Sequence, residues 1–328
     1  MFSPVALQSV AIEPSWADLD PATNRHLIVD LRQGIPRKLD QSALSQWLKR
    51  QVVPVVGVGP AVESELSAAV DLVVTVGREL DRAVRCIREH PVATSVLVQV
   101  LRSVDHLPVD EALALESMAY ATLQGGREFA TWLANHRAAH PARARRAADP
   151  LLLRREHGRL HLVLNDPETR NALSVQMRDA LTEAFKLVAL DDTITDARVS
   201  ANGPCFSSGG DLDEFGTTTD IAEAHRIRMM RMPARYLAAH AERYSFRVHR
   251  ACIGAGIELP AFARRLSASA NTFFQLPEVS MGLIPGAGGC VSIPRRIGRQ
   301  RTAYMAILGK RIPAERALAW GLIDAIED

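Results

Sequence analysis

Residues 252–289 read CIGAGIELPAFARRLSASANTFFQLPEVSMGLIPGAGG, and they place one glutamate, Glu258, just past a glycine cluster and a second, Glu278, a short helix and strand later. Both carboxylates lie beside backbone built of glycine, alanine and proline, small residues that let main-chain N–H groups approach a ligand closely. Upstream, FSSGGDL at 206–212 repeats the theme. In each loop a strand pattern is expected to run into a helix, which aims free N–H groups outward from a helix start. Two such loops side by side can hold a developing oxyanion.

Working outward, Leu160, Leu162 and Leu164 alternate with His161 and Val163 in RLHLVL, the period of a strand with one better-buried face. NDPETRNA then reads as a turn, and Ser174 as the N-cap of a helix reaching about Leu190 with Met177, Leu181, Phe185 and Val188 on one side. A strand at 197–201 leads into the first glycine loop. The stretch 220–244 reads as helix interrupted at Pro233, its methionines as core filler.

Toward the amino terminus, 25–31, 52–58 and 70–76 are short β-branched runs separated by helical or Pro/Gly-bearing segments, an α/β pattern. From Arg78 to about Arg137 the pattern is helical, with Val92, Val96 and Val100 on one stripe, a start at Pro108, and Leu115, Met118 and Trp132 in a long amphipathic segment. HRAAHPARARRAADP, 136–150, has no apolar residue larger than alanine and reads as a linker.

Composition narrows the function classes. The 328 residues carry 39 basic and 37 acidic side chains, a formal charge of +2, which gives no electrostatic case for nucleic acid. No apolar run approaches the ~18 residues of a membrane span and the first twenty residues lack a signal-peptide pattern, so no membrane partner and a cytoplasmic location are expected. Cys86, Cys205, Cys252 and Cys290 have neither metal-ligand nor disulfide-framework spacing and are read as reduced thiols.

Taken together, LNDPETRNAL, FSSGGDLDEF, GAGIEL, FFQLPEVSMGLIPGAGG, IPRRIG and WGLID, in that order, resemble the enoyl-CoA hydratase/isomerase (crotonase) family over about 150–328. The resemblance implies an α/β fold of the crotonase β-β-α superhelix type and an acyl-CoA thioester as substrate and small-molecule partner. Coenzyme A enters only as part of the substrate, with no separate cofactor and no metal. It assigns the backbone N–H groups of Gly210 and Ala255 to the thioester oxygen, and Glu258 and Glu278 to acid–base work on a 2-enoyl-CoA, Glu258 toward water and Glu278 toward C2. Gly209, Asp211, Gly254 and Gly256 support the loops, Asp211 by capping. His249 has no role in the pattern. Double-bond isomerisation, thioester hydrolysis, oxygenation of an arylacetyl-CoA, or a non-catalytic acyl-CoA-binding subunit stand as alternatives.

Two departures accompany the match. Arg250 and Arg264 stand where the family has glycine and aspartate, which predicts long cations beside a packed βα unit and an altered acyl pocket. Family helices that would follow WGLID resemble instead residues 79–137. The expected organisation is therefore a degenerate crotonase-like region, 1–140, supplying helices; a linker, 141–150; and a catalytic core, 151–328. Family resemblance further implies a homo-oligomer, a trimer or a multiple of one.

Overall fold

A computed structural model describes residues 1–4, 6, 24–33, 40–60, 64–140 and 149–327. Most of the segment read as a linker, 141–148, lies outside the described residues.

The three β-branched runs form strands β1 (Leu27–Asp30), β2 (Val55–Val58) and β3 (Leu72–Val74), all parallel in one small sheet of order β1-β2-β3. Helices α1 (Gln41–Lys49) and α2 (Glu65–Ala69) cross between them, started by Asp40 and Ser64, whose side chains accept N–H bonds from Ala43 and Ser67. Four helices follow: α3 (Arg78–Glu89), α4 (Pro91–Val104), α5 (Val109–Gln124) and α6 (Arg127–Ala139). The stripe expected through Val92, Val96 and Val100 differs in register from the buried face. In α4 the buried face runs through Ala93, Leu97, Val100, Leu101 and Val104, and Val92 is exposed. In α5 it runs through Ala112, Leu113, Glu116, Ser117 and Ala121, and Met118 is exposed.

The second part opens on a strand that sequence reading passed over, β4 (Leu151–Glu156), which pairs antiparallel with β5 (Arg159–Leu164) at the edge of the large sheet. Its residues are mostly exposed, so it lacks the buried periodicity that reveals β5, where Leu160, Leu162 and Leu164 are buried. Helix α7 (Val175–Leu190), capped by Ser174, leads to β6 (Asp196–Ala201). Helices α8 (Ile221–Met230) and α9 (Pro233–Ala239) divide just before Pro233, which stands at the first helical position. No residue of α8 is fully buried; Met229 packs half-buried against the core and Met232, beyond the helix end, is buried in it, whereas Met230 is exposed.

From here the chain winds as a spiral. β7 (Tyr244–Val248) joins the large sheet, β8 (Ala251–Ile253) a second one, and the single-turn helix α10 (Ala255–Glu258) follows. β9 (Arg265–Ala268) and β10 (Phe273–Gln275) repeat the step, followed by a 3-10 turn at Glu278–Met281 and helices α11 (Gly289–Ile297) and α12 (Arg299–Leu308). β11 (Ile312–Pro313), α13 (Ala314–Trp320) and β12 (Ala325–Ile326) close it. The sheets have the orders β12-β9-β7-β6-β5-β4 and β11-β10-β8. Arg250 and Arg264, expected beside a packed βα unit, are both exposed; Arg250 occupies the β7–β8 turn with φ +57°, a left-handed conformation that costs a non-glycine residue about 1 kcal/mol.

The two parts share one core. Leu72, Val74, Leu97 and Leu101 belong to the same buried cluster as Ile293 and Met305. Polar contacts tie the seam: Tyr304 donates to Glu79 at 2.6 Å, Arg295 to the carbonyls of Val104 and Leu107, and Gln300 to those of Ser67 and Val70. Helices α4 and α5 thus cover α11 within one chain.

Candidate active site

The first glycine loop is held by side chains before it reaches the site. Asn171, buried and left-handed at φ +54°, donates to the carbonyls of Asn202 and Cys205 and accepts from the Asp166 N–H, stapling the turn after β5 to the strand end of β6. Asparagine suits both jobs, since its amide bonds locally and tolerates positive φ. Ser207 donates to the Asn171 carbonyl at 2.8 Å and accepts from the Gly209 N–H at 3.2 Å.

The two loops then meet backbone to backbone. A Cβ on Gly209 would lie 2.8 Å from the Ile253 carbonyl oxygen, and one on Gly256 2.8 Å from that of Ser207, so only glycine permits the approach. The Ser207 N–H donates to Ala251 and the Ile253 N–H to Ser207, extending the second sheet through the first loop. Within this junction the amides of Gly210 and Ala255 have no acceptor among the described residues. Positive φ falls on Gly254, at +50°, and leaves Ala255 free to begin α10 in ordinary helical geometry. The first loop runs into a single 3-10 turn, Leu212–Glu214, rather than a helix; Asp211 caps it by accepting from the Asp213 N–H at 3.1 Å.

Both expected glutamates reach this junction. Gly254 is their common reference point: a Cβ there would stand 2.5 Å from Oε1 of Glu278 and 3.7 Å from Oε1 of Glu258. Glu258 is 2% exposed, and its Oε2 accepts from the N–H groups of Ala287 and Gly289 at 2.8 and 2.9 Å. One oxygen therefore caps the start of α11 while the other faces Gly254. Glu278 is half-buried as a residue, yet its Oε2 is sealed from solvent without a partner. Among the described residues no cluster of three or more His, Cys, Asp or Glu is arranged to hold a metal ion.

Burial dominates the electrostatics. It pushes the Glu258 carboxyl up to about 7 against the Ala287, Gly289 and Gly286 amides, which favour the charged form. Burial, and then the charge of Glu258, raises Glu278 well above the usual carboxylate range. Such a pair titrates as a unit, with a proton retained near neutrality.

Sequence reading missed a third carboxylate. Glu116, on α5, is 0% exposed and accepts from the N–H groups of Gly288 and Cys290 at 2.7 and 2.8 Å. The signal was present as a glutamate on the Ala112–Leu113–Ala121 face, visible only once the helix register is set. Neighbouring side chains of the first part close the same region. The Tyr120 ring covers Gly286, leaving 2.3 Å for any Cβ, and Arg228 of α8 lies 4.4 Å over that ring while donating to Ser117 and Gln124. Helix α6 lies over Gly282, Phe215 and Gly216, through Phe129, Trp132 and Arg137. His249, by contrast, bonds the Gly203 carbonyl on the exposed side of the β7–β8 turn.

All four cysteines are free thiols, three of them buried, and no helix among the described residues is long and apolar enough to cross a membrane.

Comparison with known proteins agrees with this architecture. The family model for enoyl-CoA hydratase/isomerase matches residues 154–327. A 2,3-dehydroadipyl-CoA hydratase of Escherichia coli (strain K12) is 31% identical over 176 residues, which cover 54% of this chain and 68% of that protein. An enoyl-CoA isomerase/hydratase of Mycosarcoma maydis is 32% identical over 182 residues, 52% of this chain and 65% of that protein. The chain thus spans about two thirds of the length of these relatives. Among solved structures, an enoyl-CoA hydratase from Thermoplasma volcanium GSS1 superimposes with a TM-score of 0.51 at 29% identity, over 55% of this chain and 73% of that one. The strand-pair spiral, the paired loops and these matches agree: the chain belongs to the enoyl-CoA hydratase/isomerase family and has its crotonase fold.

Proposed function

We propose that this protein adds water to, or removes it from, a 2-enoyl-CoA thioester. What supports the reading is the convergence of Glu258 and Glu278 on Gly254, the residue next to the open amide of Ala255. Water bonds to C3 as its proton passes to Glu258. The C2–C3 π pair moves toward the thioester, whose oxygen takes up negative charge between the Gly210 and Ala255 N–H groups. C2 then collects a proton from Glu278, and the roles reverse in dehydration. Preset donors of this kind are each worth roughly 3 to 4 kcal/mol in the transition state when mutated elsewhere. A Glu258 near 7 is part-ionised, as a base must be, while burial and the charge of Glu258 raise Glu278 and so favour the proton an acid must carry. Hydration uses both carboxylates at once, whereas moving a double bond needs only one to shuttle a proton, and the pairing favours hydration.

The proposal includes no cofactor beyond the coenzyme A of the substrate, a cytoplasmic location, and a homo-oligomer whose size light scattering reads. Its test is loss of the conjugated-thioester absorbance with crotonyl-CoA and a longer 2-enoyl-CoA. Wild type should turn over at least one, and Glu258→Gln and Glu278→Gln should each lose about 10²-fold or more in kcat. Binding of both thioesters without turnover would overturn it.

A further inference from the structure

The turn that opens α11 divides four successive amides between two carboxylates. Ala287 and Gly289 donate to Glu258; Gly288 and Cys290, which alternate with them, donate to the two oxygens of Glu116. Glu116 reaches this turn across 172 residues of chain from Gly288. Among the described residues it does so without an ion pair: Arg228, whose charge acts on it, directs its guanidinium to the Ser117 carbonyl and hydroxyl and to Gln124.

We infer that Glu116 is a positioning residue for the catalytic pair: it fixes the turn that seats Glu258, and it places a third acidic group in the dry volume where Glu258 and Glu278 work. The inference rests on the hydration reading. Two observations carry it. Each oxygen of Glu116 accepts from a main-chain N–H, of Gly288 and of Cys290, so an acid at 116 serves both donors where an amide would turn its NH2 on one of them. And a fully buried glutamate with no cation bonded to it among the described residues is costly, so its place on a core helix face is not a packing convenience.

The groups that face this cluster are Glu258 from α10, Glu278 from the 3-10 turn, Cys290 from α11, Arg228 from α8 and Tyr120 from α5 itself; His225 of α8 bonds the adjacent Ser117 hydroxyl at 2.9 Å. Glu116 is raised by burial and then by Glu258, and Glu278 is raised by burial, by Glu258 and by Glu116. Replacing the acid at 116 by an amide removes that contribution and should let Glu278 release its proton at lower pH.

Glu116→Gln tests this, because its NH2 must oppose one of the two amides. The expected result is a kcat about 10-fold lower with KM changed less than about 3-fold, and an alkaline limb of the kcat–pH profile displaced to lower pH. Glu116→Asp keeps the acidic group but is one methylene short; it should lose kcat and keep the alkaline limb. An unchanged kcat and unchanged limbs in either variant that folds, whatever its thermal midpoint, would overturn the inference. Infrared titration of the protonated carboxyl bands needs no substrate. Assigned by difference against Glu278→Gln, the Glu278 band should titrate at lower pH in Glu116→Gln than in wild type, and an identical midpoint would overturn the coupling. If wild type proves inactive on 2-enoyl-CoA, the hydration reading falls while this band still decides the inference.

Discussion

A carbon on Gly254 would stand 2.5 Å from Oε1 of Glu278. Contact that close displaces the carboxylate, and the φ of +50° adds strain for any L-residue. Gly254→Ala should therefore fold and bind CoA thioesters but lose about 10²-fold in kcat, as misplacements near 1 Å do. Steady-state kinetics, with circular dichroism to confirm the fold, decide it; wild-type kcat would mean that Glu278 does not act from this position.

Stability should fall as pH rises through neutrality. The Glu258 carboxyl moves from 4.5, the value it has outside the fold, to about 7 inside it. A raised carboxyl contributes stability fully below the lower value and loses it as pH passes the higher one. At about 1.4 kcal/mol per pH unit, Glu258 alone accounts for roughly 3 kcal/mol across that window. Glu116 and Glu278 act in the same direction, whereas Asp30 and Glu79, held at about 2, titrate well below it. Urea midpoints should decline between about pH 5 and 8, and Glu258→Gln should flatten the decline. A flat wild-type curve would contradict the assignment.

Asp71 should be the most sensitive residue of the seam. It is 2% exposed, accepts from the Val55 N–H and from Arg102 Nε at 2.7 and 2.8 Å, and pairs with Arg299 of α12 at 3.3 Å. Removing one partner of a buried pair costs about 3 to 5 kcal/mol. In calorimetry, Asp71→Ala should lower one cooperative transition for the whole chain; movement of a separate N-terminal transition alone would show that the two parts unfold independently.

Deleting residues 1–140 should yield an aggregating, inactive remainder, because it strips α4 and α5 from α11 and uncovers Ile293 and Met305. A soluble fragment with full turnover would show the first part to be dispensable.

The elements of the candidate site were legible because their sequence signals are local. Glycines at 209, 254 and 256 mark a close backbone approach, and Glu258 and Glu278 stand within the same short stretches. Strands β5 and β6 and helix α7 declared themselves by periodicity and by Ser174. What stayed hidden depends on tertiary register. Edge strand β4 buries too little to alternate, and in α5 a long amphipathic segment read through Leu115 and Met118 left the buried face, and Glu116 with it, unassigned. A single polar residue on an apolar face is read as solvent-facing until something across the core is known to bond it.

The span between Glu116 and the turn it grips also has a temporal meaning. At about 5 to 20 residues per second, a ribosome adds the 172 residues from Glu116 to Gly288 in roughly ten to thirty seconds. Throughout that interval α4 and α5 exist without the surface they cover, and Glu116 without the two amides it accepts from. The nascent chain therefore carries an unpaired apolar face for the whole of that interval, and a chaperone bound there would be released only when α11 arrives.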